Sequence, residues 1–277
     1  MSYQTPNTIE DALDLLAPGD ATILAGGTDV YPSLSGRDLP ANIVDISKLS
    51  DLRGITTGPD GLRIGGLTRW SDIRTTTLPP AIAGLQQAAA QVGGIQIQNA
   101  GTIAGNLCNA SPAADGVPPL LTLDASVDLT SATGTRRLAL ADFILGPRQT
   151  ALAPGEVLTA LHIPTPPADA QAAFEKLGAR AYLVISIAMV AALVRLDATG
   201  HIAEARVAVG ACAPVAKRLT ALEQDLIGQN PATPNLAPHH FADLSPIGDP
   251  RGSAEYRSAA VIELCRRAIR TAGGAHG

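Results

Sequence analysis

Only three cysteines, Cys108, Cys212 and Cys265, occur in 277 residues, far apart and without Cys-x-x-Cys spacing. That excludes a disulfide framework and a structural zinc site, and three thiols fall short of the four thiolates of a typical iron-sulfur cluster. Any such cluster must sit on another chain. Aromatic residues supply 3% of the sequence, which leaves little surface for stacking on exposed nucleobases. Basic clusters are missing too, and a formal charge of −5 with a pI near 5.5 argues against nucleic acid as a partner. No apolar run is long enough for a membrane helix, and the most apolar stretch, 182–194, reads as a buried strand from its β-branched content. The segment 1–16 carries Glu10, Asp11 and Asp14 with no basic stretch leading into an apolar one, so a cytoplasmic protein is expected.

Several catalytic signatures are also absent. No Gly-x-Gly-x-x-Gly follows a strand and no Gly-x-x-x-x-Gly-Lys-Ser/Thr occurs, which argues against a Rossmann site and a P-loop. There is no Gly-x-Ser-x-Gly nucleophile turn. His239 and His240 are adjacent, a spacing that rarely lets two side chains face one ion, and no partner ligands lie near them in sequence. A solvated loop is expected there, and no metal site.

What remains is a chain that is 46% hydrophobic and 16% charged, enough for two or more packed units built from Ala, Val, Leu and Ile. Thr8 to Asp11 has the form of a capping box, and Ile9, Ala12, Leu13, Leu15 and Leu16 follow at helical spacing until Pro18 and Gly19. Strands are expected at 21–25 and 43–46, and in a hairpin of 52–56 and 62–66 around Gly58-Pro59-Asp60-Gly61. A helix over 81–92 ends at Gly93-Gly94, and a glycine- and asparagine-rich loop is expected from Gly94 to Pro112. Strand patterns recur at 126–130, 137–140 and 157–163 before a linker, Pro164-Thr165-Pro166-Pro167. Beyond it, strands at 172–177, 183–195 and 202–209 and helices at 216–227 and 253–271 describe an α+β domain. We therefore expect domains at 1–165, with subdomains 1–52 and 53–165, and at 168–277.

Two segments carry candidate chemistry. Leu24-Ala25-Gly26-Gly27-Thr28-Asp29 places a glycine pair directly after a strand, where adjacent main-chain N–H groups turn inward as an anion-binding nest suited to a pyrophosphate. Asp29 beside a phosphate is repulsive, so backbone amides or a ribityl hydroxyl are its better partners, and it has no catalytic role. The second segment runs from Gln98 through Gly101-Thr102-Ile103-Ala104-Gly105-Asn106 to Asn109-Ala110-Ser111 and Asp115. Its small residues admit a ligand to the main chain, Thr102, Asn106, Asn109 and Ser111 add neutral donors, and Asp115 can accept from a ribose. Read singly, the first segment is more often a tight turn and the second a structural loop. No histidine falls in either one, which points away from a histidine-linked flavin.

Together the two segments closely resemble the flavin loops of the FAD-binding medium subunits of the xanthine and carbon monoxide dehydrogenase family, the molybdenum hydroxylases. The likeness continues in Gly146-Pro147-Arg148-Gln149-Thr150, in Glu156 to Pro164, in Phe174-Glu175-Lys176 with Arg180, and in Gly252-Ser253-Ala254-Glu255-Tyr256-Arg257. The resemblance implies an α+β fold, with a para-cresol methylhydroxylase-type FAD-binding domain of two subdomains and a smaller α+β carboxy-terminal domain. It implies that Leu24 to Asp29, Gly101, Thr102, Ala104, Gly105 and Asn106 hold the diphosphate and its neighbours, with Ser111 close by. By the same likeness Asp115 contacts the adenosine ribose side, Leu161 packs near the adenine and Lys176 lies at the flavin edge; the stretch after Arg180 departs from the family pattern, where an aspartate is frequent, and there Tyr182 is expected beside the ring. The sequence departs from the family pattern at Ala104, where glycine is usual, at Gln98, where arginine is common, and at Tyr31, often leucine.

The implied function is that of an oxidoreductase subunit with non-covalent FAD. It takes electrons from iron-sulfur clusters on a small partner subunit, molybdopterin sits on a large one, and an external acceptor, NAD or oxygen, receives the electrons. A dimer of heterotrimers is the implied assembly. The competing reading is a stand-alone flavin-dependent oxidoreductase of the same wider fold, which needs acid or base residues capping the flavin; no histidine or carboxylate cluster in the second domain suits that role.

Overall fold

The computed structural model describes residues 2–34, 36 and 38–274. The first sheet contains β1 (Ser2–Gln4), β2 (Thr22–Leu24) and β3 (Asn42–Asp45), in the order β1-β3-β2 with parallel pairing throughout. Parallel strands need a crossover, and α1 (Ile9–Leu16) carries the chain from β1 to β2, the two strands flanking β3; Thr8 caps it by accepting from the Asp11 N–H at 3.1 Å. Its Ala12, Leu13 and Leu16 pack with Val44, Ile46 and Leu49 into a small core of their own. The short α2 (Val30–Leu34) follows β2 after the first glycine pair.

The second sheet begins with the expected hairpin, β4 (Ile55–Gly58) and β5 (Gly61–Gly65). A helical stretch follows: α3 (Trp70–Thr75), α4 (Ala83–Gln91), α5 (Ile95–Ala100), α6 (Ile103–Asn109) and α7 (Val117–Thr122). Then come β6 (Ser126–Ser131), β7 (Gly134–Ala139), α8 (Leu140–Phe143), a small hairpin of β8 (Ile144–Gly146) and β9 (Gln149–Thr150), and β10 (Val157–Ile163). The antiparallel order is β4-β5-β10-β6-β7. Ile64, Val127, Leu129 and Leu161 turn one face of this sheet onto Trp70, Leu85, Ile103 and Leu107.

The expected loop from Gly94 to Pro112 is instead mostly helical. Thr102 Oγ1 accepts from the Gly105 N–H at 3.1 Å and so starts α6, while Ile103 and Leu107, one turn apart, are both fully buried. Burial of one apolar stripe outweighs the low helix propensity of glycine and asparagine.

The third sheet orders β11 (Gln171–Leu177), β12 (Ala188–Leu196), β13 (Ile202–Gly210) and β14 (Lys217–Arg218) consecutively and antiparallel. α9 (Thr220–Asp225) and α10 (Ala254–Ala272) complete this part, and Ser253 caps α10 by accepting from the Tyr256 N–H. The apolar run of β12 has a simple cause. Val190, Ala192 and Val194 face the core of α9 and α10, whereas Met189, Ala191 and Leu193 face α4 and α7. A strand covered on both sides has no polar face to alternate with.

Two further expectations need correction. The strand begins at Ala188, not at Leu183: Leu183 has φ +55° and Ser186 is tied to a residue of the α6–α7 connection, so 181–187 is irregular. Within 216–227, β14 precedes a helix of only six residues. No helix among the described residues is long and apolar enough to cross a membrane.

Candidate functional site

The two glycine segments meet. A β-carbon placed on Gly26 would lie 2.1 Å from the Ala100 carbonyl oxygen and 2.9 Å from the Gly101 α-carbon, so only glycine allows this approach. A β-carbon on Gly101 would lie 3.3 Å from Thr28 Oγ1. The contact is fastened from outside by Asn109, whose Nδ2 donates to Asp29 Oδ1 at 2.8 Å. Gly27 has φ +70°, and Tyr31, one helical turn on, lays its ring against it.

The main chain of the first segment holds spare donors. Among the described residues, the N–H groups of Gly26, Gly27, Thr28 and Asp29 make no hydrogen bond to protein. Successive amides with a left-handed residue between them form a concavity for an anion. The second segment differs. Ile103 N donates to Thr68 O, Ala104 N to Gly66 O, Gly105 N to Thr102 Oγ1 and Asn106 N to Thr102 O. Its contribution therefore comes from side chains. Asn106 Oδ1 is buried without a partner, an arrangement that costs free energy unless a ligand or water satisfies it.

Two charged groups of the site, Asp115 and Lys176, pair with one another. Asp115 is buried after α6; its Oδ2 accepts from Lys176 Nζ at 2.6 Å and its Oδ1 accepts from Ser186 Oγ. Lys176 Nζ also donates to the Gln91 carbonyl at 3.1 Å. Burial pushes the Asp115 carboxyl above the usual carboxylate range, against the pull of Lys176 and Ser186. The pair joins the α6–α7 connection to β11 and to the segment before β12, so both sides of the linker build the site.

Other expected residues fall as follows. Leu24 is buried at the end of β2 and Ala25 is half-buried. Ala104 turns its methyl toward Gly66. Ser111 Oγ accepts from the Ala113 N–H at 3.2 Å, a local turn. Leu161 is fully enclosed in the middle of the second sheet, between Ile64 and Val127. Tyr182 is 68% exposed on the irregular segment, whose Leu183 lies against Gly94. Gln98 is buried, donating to the Ala90 carbonyl with its own Oε1 unpartnered. The sequence assigns no role to Ser186, for which no motif exists, and names Arg148 only within the family-like segment Gly146 to Thr150, without a contact to the site.

The histidine pair does have a near ligand, contrary to expectation: Asp225 Oδ2 lies 2.9 Å from His240 Nε2 and 3.3 Å from His239 Nε2. His240 Nδ1 accepts from the Ala237 N–H, so Nε2 carries the hydrogen and donates to Asp225. That tautomer leaves no free nitrogen on His240 for an ion.

The site therefore offers neutral donors around a concavity, with Asp115 paired to Lys176 and Asp29 held by Asn109, and these groups fit a dinucleotide diphosphate. Two family models match the chain: "FAD binding domain in molybdopterin dehydrogenase" over residues 1–166 and "CO dehydrogenase flavoprotein C-terminal domain" over 172–272. It is 35% identical to the xanthine dehydrogenase FAD-binding subunit of Escherichia coli, covering 100% of this chain and 97% of that one. It is 31% identical to the carbon monoxide dehydrogenase medium chain of Afipia carboxidovorans, covering 98% and 96%. The fold superposes on a chain of reconstituted CO dehydrogenase from Oligotropha carboxidovorans with a TM-score of 0.90 at 29% identity, covering 100% and 98%.

Proposed function

The chain belongs to the FAD-binding flavoprotein subunits of the molybdopterin dehydrogenases, components of oxidoreductases, and on that premise we propose that it is an electron-transfer subunit. In this reading it takes electrons from iron-sulfur clusters on a small partner subunit and passes them to an external acceptor such as NAD or oxygen. A large partner carries molybdopterin, and the assembly is a dimer of heterotrimers. When bound, FAD supplies the redox chemistry, accepting electrons singly and releasing them as a pair.

The observation that carries the proposal is the row of unengaged amides from Gly26 to Asp29, pressed against Ala100 and Gly101. Main-chain amides in such a nest bind a diphosphate without needing a cation. Thr28, Thr102 and Asn106 add side-chain contacts to the same ligand. Lys176, held by Asp115 and Gln91, is positioned to favour electron-rich flavin by its charge. Tyr182, on its exposed segment, covers the ring. FAD stays non-covalent, since no histidine lies in either glycine segment. No acid or base on this chain takes part in the electron transfer. The three cysteines have raised thiol pKa values through burial, which agrees with clusters being carried elsewhere.

The test is isolation of the intact complex through a tag on this chain, followed by absorption spectroscopy, metal analysis and mass analysis of the polypeptides. Flavin, iron and molybdenum travelling with two further chains is the expected result. Flavin alone, with no metal and no partner, overturns the proposal in favour of a stand-alone flavin oxidoreductase.

A further inference from the structure

We propose that Arg148 is a positioning residue for the cofactor cradle, acting through Asn109 and Asp29 on the amide-rich segment; the inference rests on the FAD reading above. Pro147 and Arg148 are the two corners of the turn between the paired residues Gly146 and Gln149. Proline at the first corner fixes φ at about −65°, and Arg148 at the second has φ +60°. This is the type II combination, in which glycine is the preferred second residue. An arginine here keeps strain that glycine would relieve, a pattern found where the side chain has a task.

The task is visible in its contacts. Arg148 Nη1 donates to Asn109 Oδ1 and, at 3.3 Å, to the Asn109 carbonyl, while the Arg148 N–H donates to the Ala110 carbonyl at 2.9 Å. Asn109 then passes its amide to Asp29 Oδ1. Cation, amide and anion stand in series across three separate parts of the chain: the β8–β9 turn, the end of α6 and the start of α2. The series has a mechanical and an electrostatic effect. It pins the segment carrying the four spare amides against Ala100, and it draws the Asp29 carboxylate outward, so that Asp29 neither competes for those amides nor repels a diphosphate bound to them.

Arg148→Gly separates this role from ordinary folding, because glycine suits the turn. In the isolated chain the variant is expected to keep its Tm or gain about 1–2 °C. Its FAD dissociation constant is expected to rise about tenfold, the size of one charge-assisted hydrogen bond. Arg148→Lys, which retains a donor and the charge, should recover part of the affinity. Asn109→Ala should match the Arg148→Gly loss, and the double variant should lose no more than either single one. FAD affinity unchanged in Arg148→Gly, or losses that simply add in the double variant, would overturn the inference. A wild-type chain that binds no FAD would instead overturn the reading on which it rests.

Discussion

The Ala100 carbonyl occupies the space that a side chain on Gly26 would need, with only 2.1 Å between its oxygen and an ideal β-carbon. The two halves of the cradle thus meet main chain to main chain at this point, with the Asn109–Asp29 hydrogen bond fastening them from outside. Gly26→Ala is expected to force them apart, costing about 2–4 kcal/mol of stability together with FAD retention. Gly27→Ala meets side chains, the Tyr31 ring and Leu24, in place of main chain, at a φ of +70°, so its cost should be about 1–2 kcal/mol. Thermal unfolding with flavin content of the purified variants checks both, and equal effects would contradict the assigned contact.

Lys176 and Asp115 form an ion pair with both side chains under a tenth exposed, 5% and 8%. Lys176→Met leaves a buried carboxylate without its cation and should cost about 3–5 kcal/mol. Lys176→Met with Asp115→Leu should restore most of that loss. Denaturant titration of the two variants decides; a double variant as unstable as the single one would show that the pair is not the unit.

Acid should weaken the chain through pairs on the second sheet and its helices. The Arg53 guanidinium hydrogen-bonded to Asp72, and Arg136 hydrogen-bonded to Glu156, hold those carboxyls below the ordinary range. A depressed folded pKa stabilises above the unfolded value, about 4 for such carboxyls, and that contribution is lost as pH falls through the folded one. Urea midpoints should therefore drop below about pH 4, and Asp72→Asn should flatten the profile. A midpoint independent of pH in this range would count against these pairs.

The cysteines should be inert. Burial raises the Cys108 thiol to about 12 and the Cys212 thiol to about 11, and pushes Cys265 up as well. Thiolate is the reacting form, so a maleimide at neutral pH should leave the fully buried Cys212 and Cys265 unlabelled and reach the half-buried Cys108 only slowly in the folded chain, and should label all three in urea. Rapid labelling of the native chain would contradict the packing around α6 and α10.

Much of this was legible in the sequence because local chemistry and tertiary structure agree. The Thr8 cap, the hairpin around Gly58 to Gly61 and the glycine pair after β2 each follow from a few neighbouring residues. The α6 helix was hidden because glycine and asparagine predict a loop until Ile103 and Leu107 are seen to be buried together. The segment 183–187 looked like strand because its apolar residues cannot reveal that Ser186 reaches Asp115, 71 positions away. Asp115 and Lys176 were each expected to face a ligand. Their pairing joins residues 61 apart, a relation that no local pattern encodes.

Main-chain amides from Gly26 to Asp29 are expected to grip the diphosphate of FAD. Trp70, the sole tryptophan, is buried beside Gly101 and Gly116, so its emission should be quenched as flavin enters. Titrating the flavin-free chain with FAD and with riboflavin, which has no phosphate, tests the claim directly. Saturable quenching by FAD is expected, with riboflavin affinity weaker by about a hundredfold or more, the loss of at least two charge-assisted hydrogen bonds. Equal affinity for the two flavins would contradict it.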